Sequence, residues 1–234
     1  MSFSKVTGVA LVTDAAAGID RETGYAFAEA DAITVVFTDI DSEGAKTSAE
    51  KSKEFATSSK YQCFTIQVNV ADADSVQSMV DWMVEKFGRI DYVVHSAGLE
   101  ATSLKPTSDV DIVNFDQILS VNTRGTMLIT RAGRHGDERS LDRGFIVHIA
   151  SAFSYIAAPG MMAYVASKHA MMGIVKVAGR WKGLEAVIQK ASPAGRAATA
   201  EELANVAVFM CTPASYVNGS GLIVDAGMTV TAHI

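Results

Sequence analysis

The feature that most constrains this chain is the alternation of short apolar runs with longer amphipathic stretches. Val9–Thr13, Ile33–Thr38, Phe64–Val68 and Tyr92–His95 are short and rich in Val, Ile and Phe. Unbroken apolar runs of this length suit strands buried on both faces. Between them, Arg21–Glu29, Ser42–Ser58 and Ser75–Phe87 carry apolar residues at helical spacing. Strand, helix, strand in repetition implies parallel pairing through right-handed crossovers. The order therefore predicts an α/β fold: a Rossmann-type, doubly wound parallel β-sheet with helices on both faces. Helical patterns at Phe115–Arg131 and Ala163–Val177 flank a fifth strand, Phe145–Ile149, and helix Ala200–Met210 and strand Leu222–Val224 follow.

With 234 residues and no internal repeat, low-complexity tract or linker, the expectation is one domain over 1–234. Apolar residues make up 49% and charged residues 20%, the balance of a globular protein. A net charge of −6 argues against nonspecific nucleic-acid binding and against an anionic membrane surface. No apolar run approaches the ~18 residues of a membrane span. The opening MSFSKVTGVALV does not read as a signal peptide, so a cytoplasmic setting is expected. Cys63 and Cys211 lie in apolar contexts and read as buried free thiols; a disulfide framework or zinc site needs more ligands at tighter spacing.

The second half does not close a sheet. The helix Ala163–Val177 is followed by Arg180-Trp181-Lys182-Gly183 and then more helix, with no return strand. A parallel sheet requires that return strand. The expectation is a missing segment near Gly179–Trp181, with a lesser break near Ala132–Gly136.

The chemistry concentrates in SAFSYIAAPGMMAYVASKHAMMGI. Tyr164 and Lys168 are four apart on a helix and share a face. An ammonium beside a phenol favours the phenolate, which makes Tyr164 a candidate general acid and base. Ser151 lies just past the strand Phe145–Ile149, at the sheet edge where ligands bind in such folds. Asn122, in SVNTRGT, is placed to anchor a water relay to the lysine. Asp39 ends TVVFTD about 20 residues past the first turn, where an acid accepts from a ribose 2′-hydroxyl and selects NAD over NADP. Met161, Met162, Met171 and Met172, with Phe153 and Tyr155, are candidates for an apolar pocket, although core or subunit interface suits Met171 and Met172 better.

On these residues the chain resembles the short-chain dehydrogenase/reductases, most of all the fungal members of secondary metabolism. The resemblance rests on the unit Val9–Ala30, HSAG at 95–98, VNTRGT at 121–126, Ser151, YVASK at 164–168 and GSGLIVDAGMT at 219–229. It implies a catalytic tetrad of Asn122, Ser151, Tyr164 and Lys168, with Lys168 also holding the nicotinamide ribose. It places the cofactor against Thr13, Gly18, Ile19, Asp39, Asn69, Val70, Ala97, Gly98, Tyr164 and Lys168. It further implies a small-molecule substrate, apolar or polycyclic, and a homodimer or homotetramer. No metal is expected.

The departures fall on the cofactor side. Where the family reads T-G-x-x-x-G-x-G, this chain reads Thr13-Asp14-Ala15-Ala16-Ala17-Gly18-Ile19-Asp20. The glycines serve a tight turn, close approach to phosphate and helix–strand packing. Two carboxylates near a pyrophosphate would each oppose it by about 1–3 kcal/mol. Aspartate nonetheless suits turns and the first turn of a helix. His95 and Ser96 replace the usual asparagines, Asn69 an aspartate, and Asp31 and Ala226 glycines; the family's Pro-Gly loop with its threonine has no counterpart. Three readings follow. The first is an NAD-dependent oxidoreductase interconverting a secondary alcohol and a ketone. The second is an enzyme that has lost the cofactor and does redox-neutral acid–base chemistry as a cyclase, isomerase or dehydratase. The third is a non-catalytic homologue, which would not need all four tetrad residues.

Overall fold

The computed structural model describes residues 6–101, 104–135 and 145–178. All of them belong to one compact unit, Met1–Gly179; a second unit, Arg180–Ile234, lies outside the described residues, and so do the expected elements at 200–210 and 222–224, Cys211 and Ala226.

Five parallel strands are ordered β3-β2-β1-β4-β5. They are β1 (Val9–Thr13), β2 (Thr34–Asp39), β3 (Gln62–Gln67), β4 (Tyr92–His95) and β5 (Phe145–His148). Connecting them are α1 (Gly18–Glu29), α2 (Ser42–Ser52), α3 (Ala73–Phe87), α4 (Ile112–Ile118) and α5 (Gly125–His135), and α6 (Met162–Ala178) follows β5. The order reverses between β1 and β4, which opens a crevice at the carboxyl ends of those strands.

Alternate residues of the central strands feed two cores. Val9, Leu11 and Val36 join Met79, Met83, Leu128 and Ile129 of α3 and α5 on one face. Ala10, Val12, Val35 and Phe37 join Tyr25, Ala45 and Ala49 of α1 and α2 on the other. This two-sided burial is the physical reason the strands read as continuous apolar runs.

Most expected elements stand within a few residues, and two differ instructively. The helix expected over Ser42–Ser58 ends at Ser52, where Lys53, Glu54 and Phe55 turn their amides onto carbonyls three residues back. The helix expected over Phe115–Arg131 is α4 and α5 separated by a π-helical turn, Leu119–Arg124. Residues 132–135 continue α5 without a break, while 136–144 and 179–181 lie outside the described residues. Cys63 is half-buried rather than buried, and partial desolvation raises its thiol above the usual range. No helix among the described residues is long and apolar enough to cross a membrane.

Candidate active site

The turn after β1 keeps the backbone shape that glycine normally supplies. Asp14 adopts a left-handed φ of 62°, and Asp31 does the same at 76°. Aspartate tolerates this region better than most residues. Gly18 also has positive φ (61°), and nothing lies within 4 Å of where a Cβ would stand. Close helix–strand packing is met one turn later, because a Cβ on Gly24 would overlap the Phe37 ring at 2.2 Å. The turn is tied to β2: Ala15 N–H donates to Thr38 O (3.1 Å), and Ala16 N–H donates to Asp39 Oδ2 (2.9 Å). Asp39 Oδ1 accepts from Asp41 N–H (2.8 Å).

A cleft of about 530 Å³ opens above this turn, lined by Asp14, Ala16–Asp20, Asp39, Ser96, Gly98, Glu100, Ile149, Ala150, Tyr164 and Lys168. Of the expected cofactor contacts, Gly18, Ile19, Asp39, Gly98, Tyr164 and Lys168 line it. Thr13 and Ala97 sit behind it, buried; Thr13 Oγ1 accepts from Ser96 N–H (3.2 Å) and Ala97 N–H (3.4 Å). Asn69 and Val70 do not line it. Asn69 is exposed and caps its own loop through Ala71 N–H (3.0 Å), while Val70 packs in the core against α5. Glu100, Ile149 and Ala150 line the cleft without having been singled out; no pattern in the sequence marks them.

The catalytic side of the cleft is built from α6 and the π-helical turn. Lys168 is 4% exposed, and its Nζ donates to Ile149 O (3.3 Å) and stands 5.6 Å from the Tyr164 ring centre. Burial pulls its ammonium below the usual range, and the Asp20 carboxylate partly restores it. Asn122 is fully buried and its side chain is fully committed. Its Oδ1 accepts from Leu99 N–H (2.7 Å), and its Nδ2 donates to Leu99 O (2.9 Å) and Ser167 Oγ (2.9 Å). It stitches the irregular segment after β4 to α6. A Cβ on Gly98 would stand 3.4 Å from Asn122 Oδ1 and 3.6 Å from Lys168 Nζ, in ordinary contact with both. Ser151 is half-buried beside Ala150, with its hydroxyl accepting from Phe153 N–H (3.2 Å), and Phe153 meets the Tyr164 ring edge-on at 6.1 Å. Of the methionines, Met171 is core, while Met161 and Met162 line a small separate cleft with Ile118 and Lys105.

The charge is lopsided. Asp14, Asp20, Asp39 and Glu100 face one cation, Lys168, among the described residues that line the cleft. Asp20 is 4% exposed, with Oδ1 lacking any hydrogen-bond partner. Burial pushes its carboxyl up to about 6, against a hydrogen bond from Ser96 and with help from Asp14. Asp14 is also raised, by desolvation and by Asp39.

Beneath the cleft lie two imidazoles, the buried His95 and the half-buried His148, with ring centres 5.4 Å apart and edge-to-face. Thr13 Oγ1 accepts backbone amides, so its own proton goes to His95 Nδ1 (3.1 Å), leaving the His95 proton on Nε2. Thr130 Oγ1 donates to Thr126 O (2.6 Å), so it accepts from His148 Nε2 (3.1 Å). The unpartnered atoms, His95 Nε2 and His148 Nδ1, are therefore a donor and an acceptor. Burial holds His95 down at about 3 and His148 at about 4.

A crevice at the switch point of a parallel sheet, entered by a left-handed turn on one side and a Tyr–Lys pair on the other, defines a nucleotide-dependent oxidoreductase scaffold. The chain belongs to the short chain dehydrogenase family, whose model it matches over residues 8–202; a second model, enoyl-(acyl carrier protein) reductase, matches 178–229. It is 32% identical to the short-chain dehydrogenase fogB of Aspergillus ruber, over 97% of this chain and 98% of that one. That alignment spans 269 positions against the 234 residues here, so the relative carries stretches with no counterpart in this chain. It is 29% identical to the (+)-cis,cis-nepetalactol synthase NEPS3 of Nepeta racemosa, over 97% of this chain and 94% of that one. The fold matches levodione reductase with a TM-score of 0.68, at 24% identity over 97% of this chain and 99% of that one.

Proposed function

We propose that this protein interconverts a secondary alcohol and a ketone with NAD. The observation that carries the reading is the meeting of Tyr164, Lys168 and Asp39 on one cleft at the switch point. The backbone fits a dinucleotide, because the left-handed Asp14 and the open face of Gly18 retain the phosphate-cradling turn. Gly18 and Ile19 would hold the pyrophosphate side and Asp39 the adenosine ribose, and its acid disfavours a 2′-phosphate. When bound, the nicotinamide accepts or donates a hydride at C4. Tyr164 exchanges the proton of the alcohol oxygen, and Lys168 stands beside it, with Nζ 5.6 Å from the ring centre. Asn122 positions α6 rather than touching the reacting atoms. Leu104, Tyr155 and Ile156 are 71%, 71% and 58% exposed on the segments flanking α6, which suits an apolar substrate.

A second reading, acid–base chemistry without hydride transfer, is favoured by one observation: the ionisable groups at Asp14 and Asp20 stand where an anionic pyrophosphate would lie. The test is titration of the purified chain with NAD⁺ and NADH, followed by an alcohol and ketone screen. Saturable binding with turnover supports the oxidoreductase. No binding up to millimolar cofactor, with Tyr164-dependent conversion of an unsaturated substrate, supports the second reading. Under either reading Tyr164→Phe lowers kcat by about 10²–10⁴-fold.

A further inference from the structure

We propose that the carboxyl cluster of the cleft, with Asp20 foremost, makes this protein selective for the oxidised cofactor, so that it loads NAD⁺ and takes an alcohol as substrate. This rests on the oxidoreductase reading above.

Asp20 is the pivotal group because of where α1 places it. It lies in the first turn of α1, buried, with one carboxyl oxygen unpartnered in a wall of the cleft. It interacts electrostatically with Lys168 across the cleft. Lys168 and Tyr164 mark the reacting end of the site, so the Asp20 charge is felt at the nicotinamide and not only at the phosphates. The groups facing that region from each packed element are Asp14 on the turn, Asp39 at the end of β2, Ser96 and Glu100 beyond β4, and Tyr164 and Lys168 on α6. His95 lies behind Lys168 and is neutral.

NAD⁺ and NADH differ by one unit of positive charge on the nicotinamide ring, with no difference at the pyrophosphate. The carboxylates therefore oppose both forms through the phosphates but attract only the oxidised ring. Oxidation then takes a hydride from the carbinol carbon to nicotinamide C4 and the hydroxyl proton to the Tyr164 oxygen, releasing a ketone. The reduced cofactor, now without its ring charge, leaves readily. Asp20 gains its proton at mildly acidic pH, so the preference weakens there.

The test is calorimetric titration of the full chain with NAD⁺ and with NADH at pH 8 and pH 5.5, in the natural protein, in Asp20→Asn and in Asp14→Gly/Asp20→Gly. The expected result is NAD⁺ binding tighter than NADH by about fivefold or more at pH 8. The ratio falls toward unity at pH 5.5 and in Asp20→Asn, while affinity for both forms rises in the double variant. NADH binding as tightly as NAD⁺ at pH 8, or a ratio unmoved by Asp20→Asn, overturns the proposal and leaves the oxidoreductase reading standing. Failure of every form of the protein, the double glycine variant included, to bind either cofactor overturns both.

Discussion

Asp20 sets the pH response of the site at the scale of a single residue. Its carboxyl is raised in the folded chain from an ordinary 3.8 to about 6. Its contribution to stability is therefore full below about 3.8 and is lost as pH rises through about 6. The native protein thus carries a buried charge at pH 8 that Asp20→Asn removes. We expect the variant to melt higher than the natural protein at pH 8 and to differ little at pH 4.5, as read by differential scanning calorimetry. Equal gains at both pH values would mean that the asparagine acts by packing or hydrogen bonding. Asp14 was legible as an anomaly in the sequence, but its conformation was not. The glycine pattern signals a left-handed position, and only the backbone shows that aspartate occupies it at φ 62°.

At the scale of elements, α1 rests on β2 through Gly24. A methyl there meets Phe37, so Gly24→Ala is expected to cost about 1–3 kcal/mol in a chemical denaturation curve. An unchanged midpoint would show that Phe37 has room to move. The π-helical turn between α4 and α5 depends on tertiary bonds from Asn122 to Leu99 and Ser167. Asn122→Ala would leave the Leu99 amide and carbonyl without their buried partner, and about 1–3 kcal/mol of destabilisation is expected in the same measurement. These elements also show what a sequence can reveal. The central strands β1 and β2 were legible because burial on both faces leaves an apolar run with clear limits. The interruption of the helix at 119–124 was not, because helical spacing is continuous through it and its cause lies 23 and 45 residues away. The Tyr164–Lys168 pair was legible for the opposite reason: both partners lie on one turn, where spacing alone dictates proximity. Asn69 and Val70 lie outside the cleft lining, on a loop after β3 that has no periodicity to fix which side faces the cleft.

At the scale of the whole molecule, two opposed titrations among the described residues bear on stability. His95 and His148 are held neutral in the fold, at about 3 and about 4, below the ordinary 6.5. The unfolded chain binds these protons first, so their contribution is full above 6.5 and is lost as pH falls toward 4. Asp20 acts in the other sense. The melting temperature is expected to fall below about pH 6, where the two imidazoles outweigh the raised carboxyls of Asp14 and Asp20. His148→Gln, which retains polar atoms without the titration, should flatten that acid limb in a thermal scan from pH 4 to 7. An unchanged limb would shift the cause to the other carboxylates.

The left-handed turn at Asp14 also bears on heredity. An aspartate codon becomes a glycine codon by one base change, at position 14 and again at position 20. Because the backbone at Asp14 already holds the shape a glycine would take, neither change requires the turn to be rebuilt. The turn thus stands two point mutations from the glycine pattern of the family it resembles, and either change can come first.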